Sequence, residues 1–262
     1  MKKRVLTGVV AGIVAVAAAL LLDSRWLLFL VSGLMAMAAF EIARMGRLAA
    51  TLRVLLIAVV GLLAVSWLVF EPSVGLSILV VCPLAFAVAS VLTASDPGRS
   101  VASLGWLCFA TPYLVLPAWA LYEIHLRHPV LLLIFVAAIC CNDSAAFFVG
   151  SKLGRHKLAP VISPNKTWEG SVAGLVAGTG VGFVGLLWLT GTGSWGTLML
   201  FAVVTVTGQT GDLLESLLKR AVGVKDSGTL LPGHGGVLDR LDAIILASPV
   251  FHALLGLVDP LP

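Results

Sequence analysis

Charge is what this sequence has least of. Only 11% of its 262 residues are Asp, Glu, Lys or Arg, while 59% are hydrophobic; a soluble globular domain carries about a quarter charged residues. With a mean hydropathy of +1.06, this shortage excludes a water-soluble fold and assigns the chain to a bilayer. Cysteine is also scarce: Cys82, Cys108, Cys140 and Cys141 lie inside apolar stretches without CxxC spacing or a histidine partner. That excludes a disulfide framework and a zinc site and leaves small buried hydrophobes. No linker, internal repeat or separately folding polar stretch is present, so residues 1–262 read as a single membrane domain. A pI near 9.0 does not indicate nucleic acid here, because basic charge confined to one side of a membrane protein is explained by topology.

What is present is a series of apolar runs long enough for a hydrocarbon core about 30 Å thick. They fall at 5–22, 26–43, 54–70, 74–94, 103–122, 129–149, 171–190, 195–214 and 241–258. The reading is an all-α, polytopic membrane protein with about nine transmembrane helices. The opening MKKR and the apolar run after it read as an uncleaved first helix rather than a signal peptide. Pro112 and Pro117 interrupt the fifth run, which predicts a kinked or partly re-entrant helix. With the N-terminus cytoplasmic, the inner loops collect Lys2, Lys3, Arg4, Arg44, Arg47, Arg53, Arg99, Lys152, Arg155, Lys157, Lys166, Lys219, Arg220, Lys225 and Arg240, and the outer loops only Arg25 and Arg127. This positive-inside bias places both polar regions of the chain at the cytoplasmic face of the cell inner membrane. Residues 1–100 hold few polar groups and read as spans for packing or dimer contact; 129–258 read as the catalytic spans and loops.

The exception to the shortage of charge is Gly208–Asp242, which gathers Asp212, Glu215, Asp226, Asp239, Asp242, Lys219, Arg220, Lys225, Arg240 and His234. A helix over about 207–220 puts Asp212, Glu215, Ser216 and Lys219 on one face, and a second helix from near Val237 does the same for Asp239 and Asp242. Between them, Gly223, Gly228, Pro232, Gly233, Gly235 and Gly236 break helices and let a backbone come close to an anion. Carboxylates suited to a divalent cation thus lie beside cations and bare N–H groups suited to phosphate. The combination points to metal-assisted phosphoryl or nucleotidyl transfer. For Asp212 and Asp239, salt bridging with Lys219 and Arg240 is the alternative to metal ligation. Asp143 lies about 14 residues into the sixth span, roughly 20 Å along a helix, where an ionisable group is a functional candidate; an interhelical hydrogen bond with Asn142 and Ser144 is the other reading. Lys166 in SPNKT, beside Ser163 and Thr167, is suited to present donors to phosphate at the start of the next helix. His234, between glycines, reads as a ligand or phosphate contact.

From Ser216 through Leu218, Lys219, Arg220, Lys225, Asp226, Gly228, Leu231, Pro232, His234, Gly235, Gly236, Asp239 and Arg240 to Asp242, the sequence resembles the signature of the phosphatidate cytidylyltransferases, the CDP-diacylglycerol synthases. The stretch NDSAAFFVGSKLGRHKLAPVISPNKTWEG, from Asn142 to Gly170, resembles that family's other polar region. The resemblance implies transfer of CMP from CTP to phosphatidic acid, giving CDP-diacylglycerol and pyrophosphate. It further implies Mg²⁺ with a monovalent cation such as K⁺, and a homodimer among membrane lipids. Asp212 and Asp239 become the principal metal ligands, with Asp143 and Asp242 beside them. Asp212, Asp239, Lys219, Arg220, Lys225 and His234 are expected in catalysis, and Lys166, Ser163, Ser216, Gly235, Gly236 and Arg240 in binding the nucleotide. One departure is Ala145, where the family pattern has Gly. A transporter using the same intramembrane carboxylates lacks support from repeat symmetry, and the Asp-Gly opening of a CDP-alcohol phosphotransferase is missing; a CTP-dependent lipid kinase is the nearer alternative.

Overall fold

The computed structural model describes residues 2–92, 94, 96–228 and 235–258, with side chains from Gly12 onward. Among them are nine helices: α1 (Lys2–Leu21), α2 (Ser24–Met45), α3 (Ala50–Ser66), α4 (Pro72–Leu92), α5 (Pro97–Arg127), α6 (Pro129–Leu153), α7 (Trp168–Thr190), α8 (Trp195–Ala221) and α9 (Leu238–Val258). A two-stranded antiparallel hairpin, β1 (Lys157–Ala159) and β2 (Ser163–Thr167), separates α6 from α7. The architecture is all-α, and each apolar run of the sequence corresponds to one helix, although α1, α3 and α4 end at Leu21, Ser66 and Leu92, short of the runs 5–22, 54–70 and 74–94. Seven helices are long and apolar enough to cross a membrane, whereas the apolar parts described for α1 and α3, Gly12–Leu21 and Ala50–Ser66, are shorter.

Three local expectations are corrected. Of the two alternatives for the fifth run, a kinked or a partly re-entrant helix, the re-entrant one is corrected: the run lies in one 31-residue helix that continues through Pro112 and Pro117. Its prolines are tolerated because α5 is packed on several sides, with Leu107, Leu114, Val115, Ala118 and Ile124 fully buried. Trp119 stacks on Trp67 with ring centroids 4.3 Å apart and donates to Leu63 O at 2.9 Å, pinning the turn that follows Pro117. SPNKT, read as a turn, is strand β2; pairing with β1 satisfies its backbone before Thr167 caps α7 by accepting from Gly170 N at 3.2 Å. The cysteines are free, and Cys140 is exposed on the outside of α6 rather than buried.

Helix α7 fits between α6 and α8 because one of its faces has no side chains. Gly170, Gly174, Gly178 and Gly182 recur every four residues and are all buried. A Cβ at Gly170 would lie 2.6 Å from Ala146 O, and one at Gly174 would lie 2.7 Å from Asn142 O, both on α6. At Gly178 a Cβ would meet Thr205, and at Gly182 the ring of Phe201, both on α8. In lipid, where water exclusion does not drive helices together, such close backbone approach supplies the association energy. The close approach on α6 is to Ala146 O, one residue past Ala145, and its clearance comes from Gly170 on the opposite helix.

Gly182→Val should therefore force α7 from α8 and lower the apparent unfolding midpoint in detergent by the equivalent of about 1–3 kcal/mol or more. Gly180→Ala, at a position with nothing within 4 Å, should leave it unchanged. Equal midpoints for wild type and Gly182→Val would refute the packing role.

Candidate active site

The ends of α6 and α8, the β1–β2 hairpin and the start of α7 enclose a cavity of about 520 Å³, lined by Asp143, Lys157, Lys166, Thr167, Gln209 and Asp212 among others. The hairpin reaches this position because Gly150 and Gly154 leave a notch on α6: a Cβ on Gly154 would lie 2.6 Å from Thr167 Cγ2. Glu169 fastens the other side of the hairpin, accepting from Arg155 N at 3.1 Å and pairing with His156 Nδ1 at 2.6 Å. Lys166 is thereby carried on a strand whose next residue caps α7. Its ammonium lies 2.7 Å from Asp212 Oδ2.

Behind the cavity wall a polar network joins three helices. Asn142, fully buried, accepts from Gln209 Nε2 at 2.7 Å and donates to Asp143 Oδ1 at 3.0 Å. Gln209 also donates to Ser171 O at 2.9 Å, while Ser171 Oγ donates to Gln209 Oε1. The network fixes which way the amides face and orients Asp143 towards the cavity. Asp242, on α9, accepts from Ala243 N at 2.8 Å and lies within electrostatic reach of both Asp143 and Asp212.

A second cluster holds Ser227 and Gly236, at the two described ends of the segment joining α8 to α9. Lys219 Nζ lies 2.5 Å from Glu215 Oε2 and 2.6 Å from Asp239 Oδ1, bridging α8 to α9. Asp239 Oδ2 accepts from Ser227 N at 3.0 Å, Ser227 Oγ at 2.9 Å and Gly236 N at 2.8 Å. Gly235 takes φ of 82°, a left-handed conformation that glycine adopts without strain; this aims the Gly236 N–H at the carboxylate.

The charged face expected on α8 therefore divides. Asp212 turns to the cavity, whereas Glu215 and Lys219 turn into the α8–α9 interface. For Asp239, the salt bridge to Lys219 is present. Arg220 donates through Nε to Ile162 O at 3.4 Å, tying α8 to the hairpin approach. Ser163 opens β2, opposite Ala159, and Ser216 is half-buried on α8. Lys225 and Arg240 are exposed near the two ends of the connecting segment. His234 lies outside the described residues.

For a hard divalent cation the donors are right in kind: carboxylates of Asp143, Asp212 and Asp242, with amide oxygens close behind. Among the described residues no group of three or more His, Cys, Asp or Glu closes into a metal cage. Mg²⁺ does not need one, since it usually takes one or two protein carboxylates together with substrate phosphates and water. Asp143 and Asp212 on one cavity fit that requirement. Two participants were missed by sequence reasoning. Gln209 is a polar residue inside an apolar helix, a signal that was visible. Glu41 on α2 accepts from Val237 N and Leu238 N at the start of α9, each at 2.9 Å; its signal was a lone carboxylate near the end of an apolar span.

A model of the cytidylyltransferase family matches residues 2–258. The chain belongs to this family. A phosphatidate cytidylyltransferase of Bacillus subtilis (strain 168) is 35% identical over 98% of this chain and 98% of its own length. Proteins of the same name from Brucella suis and Mycobacterium leprae are 45% and 42% identical, over 44% and 46% of this chain. Those two matches span 43% and 39% of the relatives' lengths, less than half of each. The family match thus includes the N-terminal helices as well as the two polar regions.

Removing the ammonium between Glu215 and Asp239 should leave uncompensated buried charge. Lys219→Met is expected to destabilise the protein by about 3–5 kcal/mol, read as a lower unfolding midpoint in detergent, with partial recovery in Lys219→Met/Glu215→Gln. An unchanged midpoint in the single variant would mean that the N–H donors alone hold Asp239.

Proposed function

We propose that this chain is a phosphatidate cytidylyltransferase, transferring CMP from CTP to phosphatidic acid at the cytoplasmic face of the cell membrane. The observation that carries the reading is the cavity: its wall combines two carboxylates with two lysines and the first turn of α7. Full-length similarity to the Bacillus subtilis protein supports it.

A phosphate monoester attacks the α-phosphorus of CTP; the new P–O bond forms as the bond to the β-phosphate oxygen breaks, and pyrophosphate leaves with the electron pair. The monoester is largely dianionic near pH 7, its second pKa being about 6, so no proton need be removed. The barrier is the approach of one anion to another, and the protein's task is to position and neutralise. Lys166 and Lys157 meet phosphate oxygens, and the N–H groups of α7's first turn, aligned by the Thr167 cap, add positive potential. When Lys166 turns to phosphate it releases Asp212. Bound Mg²⁺ supplies charge neutralisation of the triphosphate. Asp143, Asp212 and Asp242 would hold it, and Asp239 joins them where Lys219 gives up its Oδ1; K⁺ would occupy the same carboxylate region. Gln209 and Asn142 keep Asp143 oriented. Arg220, Lys225 and His234 act on the leaving pyrophosphate, while Ser163, Ser216, Gly235, Gly236 and Arg240 complete the nucleotide side. The lipid's chains remain in the bilayer, against exposed apolar residues such as Phe147 and Phe148 of α6.

The proposal includes nine spans, an N-terminus inside and a homodimer. The clustering of cations on one set of loops supports the orientation, and the exposed apolar face of α4, with Val80 and Leu84, is suited to lipid or to a second copy.

Purified protein given CTP, Mg²⁺ and phosphatidic acid should release pyrophosphate and form CDP-diacylglycerol. Lys166→Met and Asp212→Asn should each lower kcat/KM by about 100-fold or more, the usual cost of losing a positioned charge at a transferring phosphate. No lipid-dependent pyrophosphate release from wild type, or formation of a phosphorylated lipid instead, would sink the assignment. For topology, a cysteine replacing the exposed Asp226 should react with impermeant thiol reagents only from the cytoplasmic side, and one replacing Thr192 only from outside. Labelling of both from one side would break the nine-span arrangement.

A further inference from the structure

Glu41 is the most buried carboxylate in the N-terminal helices, 2% exposed near the C-terminal end of α2. Its side chain reaches elements almost 200 residues later. Oε1 accepts from Val237 N and Oε2 from Leu238 N, each at 2.9 Å, and Oε2 also accepts from Ser227 Oγ at 2.9 Å. These three donors are neutral, so the charge is stabilised by N–H dipoles at the start of α9 together with one hydroxyl. Leaving such a carboxylate buried without them would be costly.

The surrounding residues have no room for anything larger. A Cβ on Gly228 would lie 2.5 Å from Glu41 Oε1, and a Cβ on Gly236 would strike both the Glu41 carboxylate and Ser227 Oγ. Two glycines of the charged segment thus fit around one side chain of α2. Ser227 and Gly236 also donate to Asp239. Glu41 and Asp239 therefore share the Ser227 hydroxyl and hold adjoining N–H groups, Glu41 those of Val237 and Leu238 and Asp239 those of Ser227 and Gly236.

We propose that Glu41 is a positioning residue for nucleotidyl transfer: it holds Ser227–Gly228 and Gly236–Leu238, and so sets Asp239 and Lys219 at the cytidylyltransfer site. The inference rests on the function proposed above, yet its clamp can be read without turnover. Glu41→Gln keeps the size but removes the charge and sets an NH₂ group against one of the two N–H donors, Val237 N or Leu238 N, whereas Glu41→Asp keeps the charge with a shorter reach. Full-length protein in detergent should show amide exchange at 226–228 and 237–239 faster by about tenfold or more in Glu41→Gln, with 107–124 in α5 unchanged. In CTP titrations kcat/KM should fall by about 100-fold, as a displacement of roughly 1 Å at a catalytic group can cause, and Glu41→Asp should recover at least a tenth of wild-type kcat/KM.

Ser227→Ala, which removes the shared hydroxyl and keeps Glu41, covers the case in which Glu41→Gln does not fold; exchange should then rise at 226–228 with α5 still protected. Unchanged exchange at those positions in the variants, or an equal rise throughout all helices, overturns the proposal. If wild type makes no CDP-diacylglycerol, the functional assignment fails while the exchange result still decides whether Glu41 is the clamp.

Discussion

A charge withdrawn from water has to be met by a partner, and in a chain this apolar each such meeting determines where helices go. Lys219 illustrates the constraint: with 13% of its side chain exposed, it lies between Glu215 and Asp239 and so fixes α8 against α9. Asp212 is met by Lys166, which brings the hairpin over the cavity. Glu41 is met by the backbone of the α9 start, which brings in α2. Close apolar packing holds the bundle together, but away from the glycine stripe of α7 it discriminates weakly between registers in a lipid solvent. The compensated charges choose the register.

The parts of this arrangement visible in the sequence are those governed by local periodicity. Hydropathy located all the helices, because each depends on its own apolar content and internal hydrogen bonds. The clustering of Asp212, Glu215, Lys219 and Asp239 likewise pointed to a candidate site. What remained hidden depends on residues distant in the chain. SPNKT contains no strand pattern, and β2 exists because β1 is there to pair with it. The prolines of α5 left a partly re-entrant segment open, and it is packing around Leu114, Val115 and Ala118 that carries the helix through both of them. Asp239 had two credible partners, and only the spatial meeting of α8 with α9 showed Lys219 in contact. Glu41 stood alone among apolar residues, and nothing near it in sequence indicated a partner at Val237.

Shape at the site follows from absence of side chains as much as from their presence. The α7 stripe lets α6 and α8 approach until Asn142 and Gln209 can bond at 2.7 Å; with any Cβ at Gly174 or Gly178 that amide pair would be pushed apart. Gly150 and Gly154 do the same for the hairpin. The small residues therefore determine how far Lys166 stands from Asp212, and through that contact how a cation and an anion can share one cavity. The same paired arrangement accounts for a site rich in both signs of charge inside a protein that has little of either.

The tie between Glu41 and the start of α9 also imposes an order on biosynthesis. Chains are made from the N-terminus and their parts fold in that direction as they emerge, so α2 is in the membrane long before α9 is synthesised. Until α9 arrives, Glu41 has none of its backbone partners, and the segment that carries Asp239 has no far anchor. A chain stalled before α9 thus contains the cavity residues of α6 and α8 without Asp239 and Asp242, the carboxylates that α9 brings to them. Competence is acquired in one late step, when the last helix inserts and the first and final thirds of the protein close on each other.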